Sequence, residues 1–154
     1  MYDFSQFNTI IDIGGGQGMF LSSILKNNPN LHGILFDLPH AIQSPKKMYT
    51  KESRNSKNIN SDDNGHDILS RCKLIEGDFL KSIPAVGADG YIIKNVILNW
   101  DDESAGIILK NCLQAMKDIP SSSIINANQA NRETGPKLLI IDTIMPEGNE
   151  PFIG

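Results

Sequence analysis

Thr9-Ile10-Ile11-Asp12-Ile13-Gly14-Gly15-Gly16-Gln17-Gly18, answered by Phe36-Asp37-Leu38-Pro39, is the stretch that decides the fold. The apolar run before the glycines predicts a strand over Asn8–Ile13. After them, Phe20, Leu21, Ile24 and Leu25 recur at helical spacing, which predicts a helix over Gly18–Lys26. A strand that turns at once into a helix leaves the first helical N–H groups unpaired, and with the helix dipole they attract an anion. Glycine supplies the strained dihedrals of such a turn and lets a ligand approach bare backbone. Asp37, about 20 residues further on at the end of a second strand, is placed to accept hydrogen bonds from ribose hydroxyls. Strand, glycine turn, helix, strand and acid together describe a nucleotide-cofactor site.

Glycine spacing discriminates between cofactors. The dinucleotide pattern G-x-G-x-x-G, started from Gly14 and Gly16, needs glycine where the chain has Met19. The chain instead carries D-x-G-x-G-x-G from Asp12 to Gly18. A methionine carboxylate is smaller than a pyrophosphate, so the third glycine can sit inside the turn. The spacing therefore favours S-adenosylmethionine over a nicotinamide dinucleotide.

Composition bounds the alternatives. With 154 residues and a 40% hydrophobic share the chain is the size of one domain with an adequate core. A net charge of -4 gives no support for nucleic-acid binding as a main role. No apolar run approaches the ~20 residues of a membrane helix, and Met1-Tyr2-Asp3-Phe4 lacks the basic start of a signal peptide. Cys72 and Cys112 form no CxxC and read as reduced thiols, and His32, His40 and His66 have no metal spacing. These features lead us to expect a cytoplasmic protein without a metal and without a membrane partner.

Further strands are predicted at Gly33–Phe36, Arg71–Glu76, Gly90–Lys94 and Lys137–Ile141, with a helix opening after Pro39. A long helix is predicted over Asp102–Lys117, with a core stripe of Ala105, Ile108, Leu109, Cys112, Leu113 and Met116. The nearly all-apolar last strand reads as buried on both faces. Two polar stretches, Tyr49–Asp67 and Ser121–Thr134, read as solvated insertions; Lys46, Lys47, Lys51, Arg54 and Lys57 are interspersed with acids and do not amount to a basic patch. The alternation predicts an α/β fold with a doubly wound, mostly parallel sheet. Asp12, Asp37, Asp78, Lys94 and Asp142 all fall at carboxyl ends of strands, where such sheets bind ligands.

The chain resembles the catalytic domain of S-adenosylmethionine-dependent O-methyltransferases of the caffeic acid, isoflavone and hydroxyindole type. Tyr2-Asp3-Phe4-Ser5, Ile11–Gly18, Phe36–His40, Gly77-Asp78-Phe79, Lys94 through Trp100 to Glu103, and Leu138–Gly148 carry the resemblance. It implies that Asp12, Gly14 and Gly16 form the loop around the methionine end of the cofactor. It implies that Asp37, with Leu38 beside it, binds the ribose, that Asp78 and Phe79 flank the adenine, and that Lys94 reaches the cofactor. A small hydroxylated aromatic acceptor and S-adenosylhomocysteine as the product follow from the same resemblance.

One departure bears on activity. The family segment reads roughly L-K-x-x-L-H-D/N-W, with histidine as the base. Here Lys94 and Trp100 keep their separation, and Leu98 holds the histidine position. A phenol with a pKa near ~10 is mostly neutral at pH 7, so loss of the base is expected to cost about 10²–10⁴ in rate. Asp142 matches an acid that orients that histidine, which leaves its catalytic role weak.

Relatives of this kind carry an N-terminal dimerisation domain and further strands beyond the Pro146-Glu147-Gly148 region. The expectation is a partial domain over 1–154, with an exposed apolar edge at the last strand that pairs with a second copy or a partner chain. Three functions follow: a weak O-methyltransferase domain, a non-catalytic module or subunit binding S-adenosylmethionine or S-adenosylhomocysteine, and, opposed by the glycine spacing, an NAD-dependent oxidoreductase.

Overall fold

The computed structural model of the chain describes residues 2–43, 68, 70–118 and 135–143. β1 (Thr9–Ile13), β2 (His32–Asp37), β3 (Cys72–Glu76), β4 (Gly90–Lys94) and β5 (Lys137–Ile141) form one sheet in the order β3-β2-β1-β4-β5. All four pairings are parallel. α1 (Met19–Asn27) follows β1, and α2 (Asp102–Lys117) follows β4 after a 3-10 turn at Ile97–Asn99. A helical stretch at 39–43 opens on Pro39, whose missing N–H costs nothing in a first turn. The strand order reverses at β1: β2 and β3 lie on one side, β4 and β5 on the other. That switch point is where an open α/β sheet leaves a crevice above its carboxyl ends.

Alternation along the central strands divides the core in two. Ile11, Ile13, Ile34, Phe36, Tyr91 and Ile93 pack with Ile108, Cys112 and Ala115 of α2 on one face. Ile10, Leu35 and Ile92 pack with Leu21, Ile24 and Leu25 of α1 on the other. The expected stripe on α2 is therefore rotated. Ile108 and Cys112 are buried with Ala115, and Leu109 and Met116 pack beside them, whereas Leu113 is 51% exposed. The stripe drifts because 3.6 residues per turn carry position 113 away from 108 and 112. β5 is not buried on both faces but is the exposed apolar edge expected of an incomplete sheet. It is half-buried, and Ile140 is 50% exposed, because β5 pairs only with β4 among the described residues. The polar stretches at 49–67 and 121–134 lie outside the described residues.

Three polar ties lock the sheet to its connections. The Asp89 carboxylate accepts from the backbone N–H groups of Asn8 and Thr9 at 2.8–3.2 Å and from the Asn8 side chain at 2.9 Å, fixing the start of β1 beside β4. Arg71 donates to the carbonyls of Leu25, Asn28 and Leu31, capping the end of α1 with a cation, which suits the negative end of the helix. The Tyr91 hydroxyl donates to the Ala115 carbonyl at 3.1 Å, joining β4 to α2. Replacing Asp89 by alanine strands two strand-end N–H groups, so Asp89→Ala should lower unfolding free energy by about 1–3 kcal/mol in urea titration. An unchanged midpoint would contradict this role.

Candidate functional site

The turn from β1 to α1 passes through three left-handed residues: Gly14 at φ 69°, Gly16 at 57° and Gly18 at 74°. The Gly14 N–H donates to the Phe36 carbonyl at 2.8 Å, extending the β1–β2 ladder by one bond. A Cβ on Gly14 would lie 2.8 Å from Val96 Cγ2 and 3.4 Å from Phe79, so the segments after β4 and β3 close directly on the loop. Gly15 lies over the Asp12 carboxylate: its Cβ would stand 2.5 Å from Asp12 Oδ2 and would also strike Leu35. Over Gly16 there is open space, with nothing within 4 Å of a Cβ. α1 then begins at Gly18 with no side-chain cap and no acid in its first turn. The loop thus offers bare backbone and the positive end of a helix to whatever lies above it.

Asp37 holds this loop from the end of β2. One carboxylate oxygen accepts from the Gly16 N–H at 2.8 Å and the other from the Leu38 N–H at 2.7 Å. Each oxygen keeps a further lone pair. Asp12, one strand over, is 1% exposed, and its Oδ2 has no hydrogen-bond partner. Burial, with the Asp37 carboxylate nearby, pushes Asp12 up to about 7, and the Lys94 ammonium pulls the other way. Lys94, the last residue of β4, lies with Nζ 5.5 Å from the centre of the Phe20 ring.

Asp78 caps the turn after β3: its Oδ1 accepts from the Leu80 N–H at 3.0 Å, and Lys81 lies 3.7 Å from Oδ2. Phe79 is buried, stands edge-on to Trp100 at 5.9 Å, and its carbonyl accepts from Asn111 at 2.8 Å. The segment after β4 carries Asn95 at φ 55°, a left-handed conformation that asparagine tolerates better than most residues. The Asn95 N–H donates to the Ile141 carbonyl, and its own carbonyl accepts from the Asn99 side chain at 2.9 Å. This bend leads into the 3-10 turn on which Leu98 stands 54% exposed. Asp142, half-buried just past β5, has Oδ1 buried without a partner.

Asp12, Gly14, Gly16, Asp37 and Leu38 thus meet around one loop, with Phe79 against it, while Lys94 lies over Phe20 of α1. Asp78 and Asp142 lie at the ends of their own strands. Sequence reasoning missed Gly15, Val96 and Phe20. The glycine run signals Gly15, since the middle of three consecutive glycines is the one that covers the buried acid; nothing local marks Val96 or Phe20. Cys112 and Cys72 are free thiols, raised by burial to about 12 and about 11.

Residues 1–150 match the family described as the O-methyltransferase domain. The chain belongs to this family. It is 38% identical over 153 residues to a phenazine O-methyltransferase of Lysobacter antibioticus, covering 99% of this chain and 36% of that protein. The crystal structure of LaPhzM superposes with a TM-score of 0.69 at 37% identity, covering 99% of this chain and 37% of that one. An O-methyltransferase from neocarzinostatin biosynthesis, solved with S-adenosylmethionine and 2-hydroxy-5-methyl naphthoic acid, gives a TM-score of 0.61 at 29% identity over 75% of this chain and 31% of that one. The chain therefore spans about a third of the length of the relatives it matches. The fold is the Rossmann-like sheet of these methyltransferases.

Two outcomes test the site's construction. Gly15→Ala must push aside Asp12 and Leu35, and should destabilise this O-methyltransferase domain by about 1–3 kcal/mol. Gly16→Ala meets open space and should cost only its left-handed strain, about 1 kcal/mol; equal losses in denaturant titration would contradict the geometry. The pH dependence has a definite sign. Asp12 ionises at 3.8 when unfolded and about 7 when folded, so between these values the folded chain holds a proton that the unfolded chain has released. Raising the pH through that window removes stability, on the order of 4 kcal/mol. The fall should flatten in Asp12→Asn; an equal fall in both would place the cause elsewhere.

Proposed function

We propose that this chain forms the S-adenosylmethionine-binding half of an O-methyltransferase for a small hydroxylated aromatic acceptor. Asp37 carries the reading. Its carboxylate fixes the glycine loop through Gly16 and keeps a free lone pair on each oxygen for ribose hydroxyls. The open space over Gly16 and the uncapped start of α1 fit the methionine carboxylate. Phe79 and Asp78 border the adenine side, and Lys94 completes the rim. Bound there, the cofactor supplies an electrophilic methyl group to the acceptor hydroxyl. The relatives solved with S-adenosylmethionine or S-adenosylhomocysteine support the ligand class, and the naphthoic acid in one of them supports the acceptor class. No metal enters this scheme.

Leu98 favours a second reading beside the first. The residue at the family's base position cannot accept a proton, and it stands exposed on its turn. Deprotonation of the acceptor then falls to solvent or to another group, and the rate drops by about 10²–10⁴. A chain in this condition serves as a non-catalytic module holding S-adenosylmethionine or S-adenosylhomocysteine, with Asp142 kept as a strand-end acid. The half-exposed β5 supports association through that edge with a second copy or another chain.

Calorimetric titration with S-adenosylmethionine and S-adenosylhomocysteine tests the shared claim. Micromolar binding is expected, with a loss of at least tenfold in Asp37→Ala. Tighter binding of a nicotinamide dinucleotide would overturn it. Leu98→His separates the two readings: methyl transfer to catechol or naphthol hydroxyls should rise 10²-fold or more if the domain is a weakened enzyme. An unchanged rate with the cofactor bound would favour the module.

A further inference from the structure

Asn111 is a polar residue on the apolar face of α2, which it shares with Ile108, Cys112 and Ala115, the buried side chains of that helix. Asparagine is a weak helix former, and its amide is costly to bury without a partner. Its partner lies in a distant part of the chain: Asn111 Nδ2 donates to the Phe79 carbonyl at 2.8 Å. The turn after β3 leaves that carbonyl for it. The N–H groups of Leu80, Lys81 and Ser82 all donate to Asp78, to its side chain or its carbonyl, at 3.0 Å. Phe79 is thus fixed from α2 rather than from within its own turn.

The buried ring of Phe79 has two neighbours that matter to the site. Its Cε1 would lie 3.4 Å from a Cβ on Gly14, and the ring stands edge-on to Trp100 at 5.9 Å. Trp100 lies just before α2, and Asn111 further along it. The same stretch of chain therefore holds Phe79 by ring and by carbonyl, against the glycine loop.

We propose that Asn111 is a positioning residue for the cofactor site: it holds the Phe79 carbonyl, and thereby the ring, against Gly14 and Trp100. The inference rests on the cofactor reading above and adds to it a residue remote from every motif, one that acts through Phe79. Without the Asn111 donor, the Phe79 carbonyl must find its bond in water or elsewhere in the turn, and the ring shifts with it. Moving a group that borders the ligand by ~1 Å is enough to weaken binding about tenfold.

Asn111→Leu removes the donor while suiting the helix and its apolar neighbours. S-adenosylhomocysteine should be titrated calorimetrically into the unmodified chain, Asn111→Leu and Asp89→Ala. The near-UV circular dichroism of Trp100, the single tryptophan, should be recorded for each without ligand, since it reports the ring packed beside it. Asp89→Ala is the control for lost stability alone, because Asp89 serves the starts of the strands, away from their carboxyl ends. Asn111→Leu should bind about tenfold more weakly, with a changed Trp100 spectrum. Asp89→Ala should keep the spectrum and an affinity within about twofold of the unmodified chain. Normal affinity or an unchanged Trp100 spectrum in Asn111→Leu would overturn the proposal and leave the cofactor reading intact, as would an equal loss in Asp89→Ala. Should Asn111→Leu fail to fold, the side-chain amide signal of Asn111 in the labelled, unmodified chain decides by NMR. It should shift as S-adenosylhomocysteine binds; a fixed signal while the amides of Gly14–Gly18 shift would overturn the proposal. A folded, unmodified chain that does not bind this ligand would overturn both readings.

Discussion

The whole site depends on one constraint: β1 must hand over to α1 within five residues while covering a buried carboxylate. A left-handed backbone at Gly14, Gly16 and Gly18 makes the reversal, and Gly15 makes room for Asp12 beneath it. No other residue type meets all four demands without strain or collision. The neighbouring strands finish the job. β2 ends on Asp37, which holds the loop by the Gly16 N–H, and the segments after β3 and β4 press Phe79 and Val96 against Gly14. The loop is therefore rigid on three sides and open over Gly16, and it is the open side that fits a ligand.

Electrostatics gives that opening a character. An uncapped helix start attracts an anion, while two buried acids a strand apart attract a cation. A ligand carrying both charges close together satisfies both ends of the site, as an amino acid bearing a sulfonium does. A nicotinamide dinucleotide carries its pyrophosphate to the same helix start but brings a doubly negative group close to Asp12 and Asp37. Charge and glycine spacing thus both support the proposed cofactor over a dinucleotide. The acceptor side is different in kind. Leu98 and Trp100 stand exposed on the segment after β4, and the chain spans about a third of its relatives' length.

Much of this was legible in the residues alone. The strands at Gly90–Lys94 and Lys137–Ile141 and the helix Asp102–Lys117 fall where periodicity puts them, because each is bounded by turn or capping residues; Asp101 accepts from the Ser104 N–H at 2.7 Å. The glycine loop and Asp37 were legible because their chemistry is local. Burial on α2 was less so: Leu113 and Ala115 are both apolar, and only the angle at which the helix meets the sheet decides which is buried. The same holds for β5, whose apolar sequence describes a strand with neighbours on both sides, whereas among the described residues it pairs with β4 alone. Val96 and Phe20 could not be read at all, since their roles exist only once distant strands are side by side.

The account's central claim is that a single ligand closes over the β1–α1 loop between β2 and β4. Backbone amide shift mapping by NMR, with S-adenosylmethionine added to the isotopically labelled chain, tests it most directly. The account predicts that the largest changes cluster at Gly14–Gly18, at Asp37 and Leu38, and at Asp78–Leu80, with little change along β5 or the outer face of α2. Shifts spread over those distant surfaces, or none at the loop at saturating ligand, would contradict it.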